Sequence, residues 1–235
     1  MKTTGAEFDG YARGYRDIHT RSVAVTGENS DYYSRYKIEE IARSHETNAA
    51  LAILDFGCGD GNSEVHFENT FPACRVFGVD VSEESLRTAR RRGLSRSRFA
   101  AFDGTTIPCP DASFDLVFAA CVFHHVQGDR RPGILRELRR VLKRGGSLAV
   151  FEHNPYNVLT REMVRRCPFD GNAALIAARQ LRKSIVCAGF DDIRTRYTLF
   201  LPRYGFVKPL IFIERVLSPW PLGAQYYILA RRGSP

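Results

Sequence analysis

Acidic and imidazole side chains recur in this 235-residue chain where short apolar runs end. Asp55 sits inside Leu51–Phe56, which leads into Gly57-Cys58-Gly59-Asp60-Gly61. Asp80 closes the run Arg75–Val79, and Asp103 closes Ser97–Phe102. His124 and His125 follow Phe114–Ala120, and Glu152-His153-Asn154 ends the run that begins at Ser147. A carboxylate in such a place accepts hydrogen bonds from a sugar diol or neutralises a cation, whereas an imidazole can move a proton near neutral pH. Any one of them alone is ordinary turn chemistry. Their recurrence at five successive run ends predicts one shared site.

The elements that must carry these groups are legible in the same stretches. Leu51–Phe56 reads as a buried strand, and three alternate glycines after it permit a tight turn and close approach of backbone amides to a ligand. A helix is expected near 61–69, then a strand over Arg75–Val79. Ser82 is the N-cap of a helix reaching Arg92. Strands follow at Ser97–Phe102 and Phe114–Ala120. Pro132 opens a helix whose apolar stripe is Ile134, Leu135, Leu138, Val141 and Leu142, and Gly145-Gly146 is expected to stop it. Ser147–Glu152 is the fifth strand. An irregular insertion over 153–171, a helix over about 173–188, a strand over 192–201, a second insertion over 202–223 and a last strand over 225–230 complete the chain. Helices between successive strands imply parallel strands with right-handed crossovers, an α/β doubly wound sheet. In such a sheet the ligand lies beyond the carboxyl ends of the strands, where the polar groups cluster. Two parts are expected: a helical N-terminal segment over 1–50, with Tyr32, Tyr33 and Tyr36 able to staple it to the core or cover a ligand, and an α/β domain over 51–235.

Composition narrows the partners. The apolar fraction is 44% and the charged fraction 26%, ordinary for a globular protein. The polar N-terminus has no signal-peptide core and no apolar stretch is long enough to span a bilayer, so a cytoplasmic protein is expected. The six cysteines form no C-x-x-C pair, which predicts buried thiols and no metal site. A net charge of +8 admits an anionic partner, yet the arginines fall on helical stretches, where they read as solvated faces that complement helix dipoles.

An acid closing the second strand fits a ribose diol, hence an adenosine-type cofactor. A dinucleotide usually requires G-x-G-x-x-G, but Asn62 stands at the last of those positions. Asp55 and Asp60 flank the turn and disfavour a pyrophosphate. A cationic, zwitterionic cofactor tolerates them better.

Taken together, these motifs resemble the class I S-adenosylmethionine-dependent methyltransferases over about residues 50–200. Leu54-Asp55-Phe56-Gly57-Cys58-Gly59-Asp60-Gly61 is similar to the family's first motif, and Gly78-Val79-Asp80-Val81-Ser82 to its second. Phe102-Asp103-Gly104 is similar to the third. Phe114-Asp115-Leu116-Val117 with Phe123-His124-His125-Val126 is similar to the fourth. The resemblance implies a Rossmann-like, mostly parallel seven-stranded sheet with an antiparallel final strand. It implies S-adenosyl-L-methionine held by Asp55, Gly57, Cys58, Gly59, Asp80, Val81, Asp103, Gly104 and Ala119. Phe8-Asp9-Gly10-Tyr11-Ala12 with Tyr15 is similar to the N-terminal segment of small-molecule members, which implies that Tyr11 and Tyr15 cover the cofactor. Asn154-Pro155-Tyr156 is similar to a motif of amino-methylating nucleic-acid enzymes. There it follows strand four and here strand five, so an acceptor-pocket role is expected instead.

Methyl transfer to a hydroxyl or carbon acid needs a base, and His124, His125 and His153 are the candidates. Glu152, Asn154, Tyr156 and Phe169 are expected around a small-molecule acceptor. The insertions supply aromatic and aliphatic lining for an apolar acceptor; equally, they suit a lid or an interface between copies of the chain. The expected activity is methylation of an oxygen, nitrogen or carbon nucleophile in natural-product or glycan biosynthesis. Peripheral membrane contact, RNA methylation and a non-catalytic cofactor-binding scaffold are the other readings.

Overall fold

A computed structural model describes Asp9, Thr20 and residues 27–171, 173–202 and 212–233. Tyr11, Tyr15, Tyr204 and the apolar run 210–211 lie outside the described residues, as does the side chain of Phe169. Seven strands form one sheet: β1 (Ala52–Phe56), β2 (Arg75–Asp80), β3 (Ser97–Ala101), β4 (Phe114–Ala120), β5 (Leu142–His153), β6 (Asp191–Thr198) and β7 (Gln225–Arg231), in the order β3-β2-β1-β4-β5-β7-β6. β1 pairs in parallel with β2 and β4, and β3 and β5 extend the parallel part on either side. β7 inserts antiparallel between β5 and β6. The expected mostly parallel sheet with an antiparallel last strand is therefore present.

Strand alternation divides the core between the two faces. Leu54, Val117, Leu148 and Val150 face α4 (Arg131–Val141) and α6 (Ala178–Cys187), whose Leu135, Leu138, Leu181 and Ile185 are fully or almost fully buried there. Ile53, Leu116, Phe118 and Phe151 face the other way, against Ile38 and Ile41 of α1 (Ser30–Ala42) and Phe67 of α2 (Asn62–Thr70). The N-terminal helix is thus part of the core. Its Tyr33 packs on Leu199, with Tyr32, Tyr36 and Met163 around them. Among the described residues, no helix is long and apolar enough to cross a membrane.

Four local expectations differ from the fold. The helix opened by Pro132 ends at Val141, before Gly145-Gly146, because Leu142 pairs with Phe114 and starts β5. Gly145 instead sits inside β5 at φ +74°, where its amide donates to Arg232 O. The first insertion is not irregular: it contains α5 (Val158–Arg166), capped by Asn157 accepting from Thr160 N. α6 begins at Ala178, five residues later than the apolar pattern suggests. Finally, β6 ends at Thr198.

Candidate active site

The strand order reverses between β1 and β4, and the crevice beyond their carboxyl ends is where ligands bind in open α/β sheets. A cleft of about 1110 Å3, counted out to open solvent, lies there. Gly57 and Gly59 form one wall, at φ +77° and +54°, conformations that favour glycine. Gly57 N and Cys58 N donate to Val79 O, at 2.8 and 3.1 Å, so the turn is pinned to β2. Asp80 faces it: Oδ2 accepts from Gly59 N at 2.8 Å and Oδ1 from Ser82 N at 2.9 Å. The β2–α3 turn is held in turn by α3 (Glu83–Arg90), whose N-cap Ser82 accepts from Ser85 N. Val81, Phe102 and Ile134 make an apolar end of the same cleft.

Behind the glycine turn lies a concentration of buried acid. Asp55 is 2% exposed and Glu64 fully buried; Asp55 Oδ2 and both Glu64 carboxyl oxygens have no hydrogen-bond partner among the described residues. Burial, and then the nearby Asp80 charge, push Asp55 up to about 8. Burial followed by the Asp55 charge holds Glu64 well above the usual carboxylate range. Asp80 is raised by burial, against the opposing hydrogen bonds from Ser82, Gly59 and Val81 amides. Asp55 and Glu64 are thus held toward their neutral forms, and an incoming positive charge would let them ionise.

The other end of the cleft is built on the turn after β4. Cys121, which lines the cleft, has φ +58° and marks a sharp exit from the strand. The next turn is fixed from two sides. Glu152 Oε1, fully buried at the end of β5, accepts from Phe123 N at 2.6 Å, and buried Arg131 Nε donates to Val126 O at 2.9 Å. Held in this way, His124 points inward. Its Nδ1 lies 2.6 Å from Glu152 Oε2 and its Nε2 3.5 Å from Asp170 Oδ1. Burial alone would lower its pKa, but Glu152 and Asp170 together raise it to about 10. His125 lines the cleft, with Nε2 3.2 Å from the same Asp170 oxygen. The His124 and His125 rings are 4.1 Å apart and the His124 and His153 rings 5.3 Å. Burial and then the His124 charge lower His153 to about 4, and its Nδ1 lies 3.5 Å from Gln225 Nε2.

The residues singled out in the sequence therefore separate into three groups. Gly57, Gly59, Asp80, Val81, Gly104 and His125 line the cleft. Asp55, Cys58, Ala119, His124, Glu152 and His153 stand outside its lining: Ala119 is core, and Glu152 orients the His124 ring. Asp103 is exposed, and its Oδ1 accepts from Thr105 N, Thr105 Oγ1 and Thr106 N, which holds its pKa down to about 2. Asn154 is buried and donates to Pro221 O and Gly223 O at 3.0 and 2.7 Å, tying the first insertion to the approach to β7. Tyr156 is 67% exposed. The sequence reading missed Asp170, which is embedded in an insertion with no motif around it, and Lys37, whose Nζ lies 3.8 Å from Cys121 Sγ. It also passed over Val122, Gln127 and Arg130 of the cleft.

Residues 54–150 match the family model described as a methyltransferase domain. The chain is 33% identical over 144 residues to trans-aconitate 2-methyltransferase of Azoarcus sp. strain BH72, covering 61% of this chain and 55% of that protein. It spans about half the length of the curated relatives it matches. Its fold is similar to that of a SAM-dependent methyltransferase of Thermotoga maritima, described as a possible histamine N-methyltransferase. That match has a TM-score of 0.70 at 20% identity and covers 97% of this chain and 99% of the other. It is also similar to phosphoethanolamine N-methyltransferase 2 of Haemonchus contortus in complex with S-adenosyl-L-methionine. Here the TM-score is 0.62 at 18% identity, with 85% and 52% of the two chains covered.

Proposed function

We propose that this chain, which carries a class I S-adenosylmethionine-dependent methyltransferase domain, methylates a small-molecule acceptor with S-adenosyl-L-methionine as the donor. The observation that carries this reading is the set of acids beside the glycine turn, buried Asp55 and Glu64 with unpartnered oxygens and half-buried Asp80. A cofactor bearing a sulfonium and an ammonium brings a positive charge against which these carboxyl groups can ionise. A pyrophosphate would add negative charge to it.

When bound, the cofactor supplies an activated methyl group. The chain's residues have to hold that group and align the acceptor with it. Asp80 would accept from the ribose hydroxyls, and Val81, Phe102 and Ile134, which line the same cleft, would give the adenine an apolar slot. The glycine turn keeps the amino-acid tail close to backbone. His125 is the one of the three candidate histidines in the cleft lining, so it meets the acceptor. His125 takes the proton that an oxygen or carbon nucleophile must lose, and the Asp170 carboxylate 3.2 Å from its Nε2 offsets the charge it gains. With the cofactor bound, a nucleophile–carbon bond would form as the methyl–sulfur bond breaks, with S-adenosylhomocysteine as the coproduct. The acceptor is a small molecule, in keeping with the name of the trans-aconitate relative.

The arginine-rich helices support a small acceptor over RNA. Arg87, Arg90 and Arg92 pair with Glu84, Glu83 and Asp60, and Arg140 pairs with both Glu137 and Asp111. Cations already engaged in this way make a solvated face. The test is incubation with methyl-labelled S-adenosylmethionine and panels of carboxylic acids, phenols, amines, lipid-linked sugars and transfer RNA. Label is expected in a small molecule. Label appearing only in RNA would overturn the acceptor class.

A further inference from the structure

We propose that His124 Nε2, His125 Nε2 and a carboxylate oxygen of Asp170 hold a divalent first-row transition-metal ion at the acceptor end of the cleft. The role given to this ion rests on the methyl-transfer reading above; its binding does not. The three ligand atoms all lie within 4.8 Å of one another. Both imidazole nitrogens approach the same Asp170 oxygen, at 3.5 Å from His124 and 3.2 Å from His125. A hydrogen bond between an imidazolium and a carboxylate closes to about 2.7–2.9 Å. Ligands at about 2.0–2.2 Å around a tetrahedral ion stand roughly 3.3–3.6 Å apart. The His124 separation matches the second geometry, and the His125 separation lies between the two, at the long end of an ordinary N–H···O bond.

The same His124 ring supplies the contrast. Its Nδ1 does make a short bond, 2.6 Å, to the fully buried Glu152. A carboxylate on the far nitrogen keeps the Nδ1 proton in place, so an incoming ion displaces the proton on Nε2 and takes that lone pair, the usual support for a metal-bound histidine. Glu152 is itself held by Phe123 N and the turn by Arg131, so the two rings are set before any ligand arrives. Two imidazoles and one carboxylate suit zinc, manganese, iron(II) or cobalt rather than calcium or magnesium. Because His125 belongs to the cleft lining, the remaining coordination positions open toward the acceptor. An acceptor presenting an oxygen or nitrogen lone pair fits there, and while the ion is bound it takes over from His125 the task of easing the acceptor's proton loss. The cysteine-based sequence reading anticipated no metal, since these ligands come from a histidine pair and a distant insertion and involve no cysteine.

The experiment uses tag-free full-length protein, titrated separately with cobalt(II), zinc(II) and manganese(II), with metal content measured after gel filtration. S-adenosylhomocysteine binding is measured on the same samples. One equivalent of at least one ion per chain is expected, with the visible spectrum of the cobalt form reporting nitrogen ligation. Asp170→Asn should weaken that binding at least tenfold while S-adenosylhomocysteine binding and circular dichroism stay as in the wild type. His125→Ala serves if the first variant does not fold, and Glu152→Gln should weaken the metal by about 10–100-fold. Retention of none of the three ions by wild-type protein overturns the proposal, as does equal binding by a folded Asp170→Asn variant. In that case a proton on His124 holds the cluster together. Metal retained without S-adenosylhomocysteine binding would instead overturn the methyl-transfer reading and leave the metal site standing.

Discussion

Replacing Gly57 with alanine tests how the glycine turn is built. Gly57 has φ +77°, and a Cβ there would lie 2.5 Å from Val122 Cγ2 and 3.0 Å from Val122 Cγ1. Two separate costs follow. The left-handed backbone costs a non-glycine residue about 1–2 kcal/mol. Forcing Val122 aside costs a further 1–3 kcal/mol or so, as for other overpacked sites. Gly57→Ala should therefore lose about 2–5 kcal/mol in urea unfolding at 25 °C without ligand. Gly59 is an internal control: its φ is +54°, but a Cβ there meets nothing within 4 Å, so Gly59→Ala should lose only the backbone part, about 1–2 kcal/mol. Val122→Ala should relieve the clash. In the double-mutant cycle with Gly57→Ala it should return about 1–3 kcal/mol as coupling energy and leave the backbone cost in place. A Gly57→Ala loss no larger than that of Gly59→Ala, or a coupling energy near zero, would refute this account of the turn.

Three further outcomes are expected. Asp55 titrates at about 8 in the fold and near 4 in the unfolded chain, so the folded state holds the extra proton and stability falls as pH rises from about 4 to 8. Urea midpoints at pH 5 and pH 8 should show this fall in the wild type and a clearly smaller one in Asp55→Asn; parallel falls would contradict it. Asn154→Ala should cost about 2–3 kcal/mol, because Pro221 O and Gly223 O lose buried donors, and a loss under about 1 kcal/mol would show the tie to be idle. Gly78→Ala should disturb the acid cluster directly, since its Cβ would stand 2.6 Å from Glu64 Oε1 and 2.8 Å from Cys58 Sγ. Thermal melting should fall, whereas an unchanged melting temperature would mean that the cluster yields freely.

The glycine-turn end of the cleft was largely legible because its residues are local to motifs. Three glycines after an apolar run, and an acid at the end of the next strand, define a turn and a carboxylate that the parallel pairing of β1 and β2 must bring together. The histidine end was not. Which of His124 and His125 turns inward depends on Glu152 reaching back from β5, a contact that no local pattern encodes. Asp170 joins them from the far end of the insertion that carries α5, 45 residues along the chain from His125. Asp103 followed the strand-end rule, yet its neighbours Thr105 and Thr106 engage its carboxylate in a turn. Helix ends were misread where pairing overrode glycine: Gly145-Gly146 looks like a stop, but Leu142 is already committed to β4.

The central claim is that the β1–β4 crevice binds S-adenosylmethionine through Asp80 and the glycine turn. Isothermal titration of S-adenosylhomocysteine into wild-type protein and Asp80→Ala tests it most directly. Saturable one-to-one binding by the wild type, abolished or weakened at least a hundredfold in a folded Asp80→Ala variant, is the predicted result. No binding by the wild type, or equal affinity in the variant, would contradict it.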